Sequence, residues 1–156
     1  MTAVLLISLS VFLSGSVYSQ DHIKSLDEVR TKMTKLGGSL PELIRNAEPR
    51  DIRTLERLFE INNYALVTIE AYLKMVKITL SSMTGINKDV LGILNGWLKF
   101  ISHYCEYDIK YIDEALSETI DAKVVELLRS EKDNISSLRG TSQSGIKENT
   151  DLSSTL

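Results

Sequence analysis

The densest group of chemically capable side chains is His103, Cys105, Glu106 and Asp108, packed into six positions of a segment with helical periodicity. His103 and Glu106, three apart, share a helix face, but two ligands do not hold a metal ion. A di-iron bundle needs Glu-x-x-His on two helices, and this chain contains no such motif. His103 and Cys105 are two apart, so on a helix they point about 200° away from each other and cannot act as base and nucleophile. Cys105 falls on an apolar stripe and reads as a small buried hydrophobe. One Cys excludes an intramolecular disulfide and a CxxC redox pair, and two distant His exclude a multi-His centre. No catalytic residue, metal site or cofactor is assigned, and the chain is not expected to be an enzyme.

Asn134-Ile135-Ser136 matches the N-glycosylation sequon, which makes Asn134 a candidate glycan site if the chain is exported. Gly140 to Lys147 reads GTSQSGIK. It lacks the Lys that follows the second glycine of a phosphate loop, and no strand precedes it. Gly92 and Gly96 form a G-x-x-x-G pair, read as a place where a neighbouring helix approaches closely. The richest pattern is aromatic. Trp97, Phe100, Tyr104, Tyr107 and Tyr111 recur at spacings of 3, 4, 3 and 4, one face of one helix. Such a stripe suits a ligand cavity or a protein interface. The favoured reading is core packing, with each hydroxyl reaching the bundle edge.

The first twenty residues carry no charged side chain, whereas all 18 Lys+Arg and 21 Asp+Glu follow them. Ala3 to Leu13 is an apolar run, too short to span a membrane and suited to a signal-peptide core. Val17 and Ser19 supply the small residues for cleavage before Gln20. Residues 1–19 are therefore expected to be a signal peptide and the mature chain to be secreted or extracytoplasmic, with no transmembrane segment. A net charge of −3 lacks the basic excess of a nucleic-acid binder.

These residues must be positioned by helices, since no apolar/polar alternation of strand type is sustained. Ile23, Leu26, Val29, Met33 and Leu36 form one helical stripe, which Gly37-Gly38 is expected to end. Ser39-Leu40-Pro41-Glu42 reads as a capping box opening a short helix to Glu48, stopped by Pro49. From about Asp51 to Met83, a coiled-coil-like heptad seam runs through Ile52, Leu55, Phe59, Asn62, Leu66, Ile69, Leu73, Val76 and Leu80. Asn62 either fixes register inside this seam or, as favoured, sits at a bundle end or faces water. Thr68 is expected on the opposite side. Asn87 caps a helix from Lys88 to about Ser130, apolar on nearly all sides over 90–112 and so expected to be central. At about 65 Å it outruns its neighbours, so a kink is expected, at a place no Pro marks. Residues 131–156 are Ser/Thr-rich and expected to be a disordered tail.

The expected fold is all-α: an up-and-down bundle of four to five helices over residues 20–130, with a long antiparallel helical hairpin. The expected function is a secreted interaction protein working through helix-face contacts with a protein partner or with itself. The alternative is a carrier of an apolar small molecule between helices 51–83 and 88–112.

Overall fold

The computed structural model describes residues 21–81 and 86–156, and the expected signal peptide lies outside them. Among the described residues four helices form a bundle: α1 (Asp21–Arg45), α2 (Pro49–Ser81), α3 (Lys88–Glu118) and α4 (Ala122–Thr155). No strand occurs among the described residues. None of the described helices is long and apolar enough to cross a membrane. α1 packs on α2 and α4, and α3 packs on α2 and α4. Leu26, Leu58, Ile69, Leu98, Leu128 and Ile135 are fully or almost fully buried between them.

α1 is one helix where two were expected. It runs through Gly37-Gly38 and carries Pro41 inside it. Pro41 removes one intrahelical hydrogen bond, and helical glycine is itself costly. Burial of Leu26, Val29, Met33 and Leu40 along a single face outweighs both, because packing supplies most helix stability in proteins. Gly37 serves contact rather than termination: a Cβ there would lie 2.5 Å from Asn62 Oδ1. Ser39 caps nothing and donates to Leu36 O at 2.7 Å. Pro49 opens α2, where its missing N–H is not needed.

The buried line of α2 is Leu55, Leu58, Asn62, Ala65, Ile69, Tyr72 and Val76. It keeps the heptad spacing but is rotated from the expected seam. Leu55, Asn62, Ile69 and Val76 belong to both lines. Ile52, Phe59, Leu66, Leu73 and Leu80 are only half-buried, their places taken by Leu58, Ala65 and Tyr72. Thr68, expected outside, is buried, and its hydroxyl donates to Tyr64 O at 2.8 Å.

The expected helix to Ser130 is instead broken at Thr119–Asp121, where the chain turns back on itself. Thr119 closes α3 with its backbone N–H and hydroxyl on Ala115 O. Asp121 opens α4, accepting from Lys123 N at 2.9 Å and Val124 N at 3.0 Å, so an N-cap does what a kink was expected to do. Asn87 caps α3 as expected, accepting from Val90 N at 3.0 Å.

The largest correction concerns residues 131–155, which are helical rather than a disordered tail. α4 returns along α3, pairing Asp113 with Lys132, Glu106 with Arg139 and Asn95 with Thr150 in opposite order. Its inward line is Val124, Leu128, Glu131, Ile135, Leu138, Ser142, Gly145 and Asn149, a heptad spacing throughout. Small residues let it pack closely: a Cβ at Gly145 would lie 2.8 Å from Leu98 Cδ1 and 2.9 Å from the His22 ring.

Candidate interaction face

α3 is not the covered central helix. Its inward line is Leu91, Leu94, Leu98, Ile101, Cys105, Ile112 and Ala115. The aromatic stripe lies on another side and faces outward: Trp97, Phe100, Tyr104 and Tyr107 are exposed, Tyr107 at 63%. Tyr111 is half-buried. Core packing is therefore overturned for four of the five. The reason is geometric. With α4 folded back onto α3, the core is closed by aliphatic residues, and the aromatic side is left without a covering helix.

The rings form a continuous run. Trp97 meets Phe100 edge-on at 6.3 Å, and Phe100 lies 5.8 Å from Tyr104. Tyr104 stacks on Tyr64 of α2 at 4.3 Å. Seven positions back along α2 and seven forward along α3, Arg57 sits over Tyr111 at 5.6 Å, a cation–π contact. α2 extends the face through Tyr64, Val67 and Ile78, and α3 adds Ile93. Ten large apolar side chains are exposed among the described residues, and eight of them stand on this one face. The other two, Ile120 and Leu156, are in a turn and at the C-terminus. Together the eight expose several hundred Å², and a grouping of apolar side chains on that scale marks an interaction site.

Gly92 and Gly96 flank the face on α3, and a Cβ at either would meet nothing within 4 Å. They are exposed and do not mark the approach of another helix among the described residues.

Behind the face lies a buried polar layer. Glu131 is fully buried. It accepts from Asn134 Nδ2 at 3.3 Å and from Asn62 Nδ2 at 3.3 and 3.4 Å. Asn62, fully buried rather than water-facing, also donates to Met33 O of α1 at 3.1 Å. Burial pushes the Glu131 carboxyl up to about 7, against the pull of the two amide donors and with the charge of Asp108 adding to the rise. Asp108 is also raised by burial, and the Arg57 charge opposes the shift. This layer ties α1, α2 and α4 in one register.

The sequon residue belongs to the same layer. Asn134 is buried with its Nδ2 on Glu131, so the helix spends the atom a glycan would occupy on an internal bond. His22 is also buried: Nδ1 lies 2.6 Å from Glu148 Oε2 and Nε2 lies 3.2 Å from Tyr72 OH. Cys105 is buried too, and burial and then Asp108 push its thiol up to about 12, far from a reactive thiolate. His103 stands exposed on the other side, with Nδ1 3.8 Å from Glu106. No group of three His, Cys, Asp or Glu converges among the described residues.

A recess of about 380 Å³ opens at the Arg50 end of the bundle, lined by Arg50, Asp51, Arg53, Glu114 and Glu118 beside Tyr111. Its lining is charged, unlike the apolar cavity a hydrophobic cargo needs. Compared with known families, curated proteins and solved structures, the chain matches none.

Proposed function

We propose that the chain is a secreted interaction protein that binds through the aromatic face of α2 and α3. One observation carries this reading: eight of the ten large apolar side chains exposed among the described residues share that face. Tyr and Trp are the residues that dominate interface energetics, because they bury a large apolar body while a polar tip stays solvated. Charged side chains such as Glu60, Lys74 and Lys99 surround them, as a polar rim surrounds an interface centre.

Secretion rests on the uncharged apolar run and the Val17-x-Ser19 pattern, with the mature chain starting at Gln20. α2 and α3 are read as the antiparallel helical hairpin, supported by the opposite order of their Tyr64–Tyr104 and Arg57–Tyr111 contacts. The hairpin then presents a rigid two-helix surface, and no catalysis is assigned to it.

The test is site-specific photo-crosslinking in cells that make the protein. A crosslinker at Val67 should yield a covalent adduct, while one at Ser136, on the exposed side of α4, should not. Absence of any adduct at Val67 overturns the reading. Sequencing the exported protein should give Gln20 first, and an intact Met1 would contradict secretion by cleavage.

A further inference from the structure

We infer that the occupant of the aromatic face is a second copy of this chain, docked about a twofold axis at the level of Val67 and Phe100. The inference rests on the reading of this face as an interaction surface and names its partner.

The argument starts from register. Tyr64 stacks on Tyr104, so Val67, three residues further along α2, stands level with Phe100 and Ile101 on α3. Val67 is 66% exposed and stands between Tyr64 and Ile78 on the α2 part of the face. Phe100 is the middle of the α3 part, with Ile93 and Tyr107 seven residues to either side and Trp97 and Tyr104 closer in. A twofold axis lying in the face, perpendicular to the helices, lays α2 antiparallel on the partner's α2 and α3 antiparallel on the partner's α3. Ile93 then opposes the partner's Tyr107, Phe100 opposes the partner's Phe100, and Trp97 falls within one residue of the partner's Tyr104.

Charge selects this arrangement over an arbitrary partner. Glu60 lies seven residues before Val67 and Lys74 seven after it, both exposed on the same stripe of α2, each about 10 Å from the axis. The twofold therefore brings each Lys74 onto the other copy's Glu60, twice per dimer. Among the described residues Glu60 pairs with Arg57 at 3.0 Å, both side chains exposed, a pair of the kind that contributes little. Lys74 makes no ion pair among the described residues. A self-complementary patch is what an isologous interface requires.

The experiment is light-scattering mass of the full chain from low to high micromolar, for wild type, Lys74→Glu, Glu60→Lys, an equimolar mixture of the two, and the double variant. Wild type should be a dimer. Each single variant places like charges opposite each other twice and should weaken association by about tenfold or more. The mixture restores both opposite-charge contacts and should recover the dimer, as should the double variant. All positions are exposed, and helical content by circular dichroism should be equal throughout. A wild type that stays monomeric, or a mixture no tighter than the single variants, overturns the proposal. If the wild type is monomeric while a crosslinker at Val67 still captures a different protein, the second copy is wrong and the interaction face stands. If Val67 captures nothing, both fail.

Discussion

Along α3, Trp97, Phe100, Tyr104 and Tyr107 face outward, whereas along α4 Glu131, Asn134, Ser142 and Asn149 are buried. The two helices pack on each other, and the bulkier apolar set is the one left outside. What decides depth here is position on the heptad, not hydrophobicity. α4 keeps its inward line at spacings of 4 and 3 from Val124 to Asn149, and the small or amide-bearing residues on it allow close approach. α3 has enough aliphatic residues on its inner line to close the core without its aromatics. The cost of the polar seam is visible: the Asn149 amide has no hydrogen-bond partner among the described residues, and Asn62 Oδ1 has none either. On the proposed reading, the exposed tryptophan and tyrosines serve recognition, while the aliphatic side chains close the core.

The sharpest break of this comparison is to remove the polar half of α4. Truncation after Ser130 deletes Ile135, Leu138 and the return strip against α3, and the cooperative melt should be lost altogether. A sharp melt near that of the full chain would mean that residues 131–156 add nothing to the fold. The next effect contrasts two neighbours on α3. Leu98→Ala, in the core, should cost about 2–5 kcal/mol. Phe100→Ala, in dilute monomer, should cost under about 1 kcal/mol, since surface changes away from buried features stay small. Chemical denaturation of both variants at low concentration measures the difference, and equal costs would place Phe100 in the core.

The third effect is a pH dependence set by Glu131. Its carboxyl titrates at about 7 in the folded chain against 4.5 for an ordinary glutamate. Between these values the folded state holds a proton that the unfolded chain has released. Stability is therefore greatest below the ordinary value, falls as pH rises, and levels off above the folded value. The total is about 3 kcal/mol. Asp108, also raised by burial, contributes with the same sign. Glu131→Gln should flatten the decline and be more stable than wild type at pH 8, read from denaturation midpoints at pH 5 and pH 8. A wild type more stable at pH 8 than at pH 5 would contradict this.

Much of the fold was legible because it is periodic. The helical character within residues 22–130 follows from spacing, the Asn87 cap from residue type, and the inward place of Cys105 from its apolar stripe. Three features were not. Gly37-Gly38, Ser39-x-x-Glu42 and Pro41 are local signals for a break, and a tertiary contact between Gly37 and Asn62 overrides them. Asp121 is a good N-cap, but the apolar stripe continues through Ile120 and Val124 on either side of it and hides the turn. The seam of α4 is periodic in size rather than in hydrophobicity, so a search for apolar stripes passes over Ser142, Gly145 and Asn149. The aromatic stripe itself was legible as a pattern. Its exposure depends on which side α4 covers, and that is decided by the same hidden seam.

Trp97 tests the central claim most directly, because it is the chain's one tryptophan and stands on the outward face. Acrylamide quenching of its fluorescence should be efficient in dilute, fully folded protein and should fall as the concentration is raised and the face is covered. Inefficient quenching in the dilute folded monomer, as for a buried indole, would contradict the account.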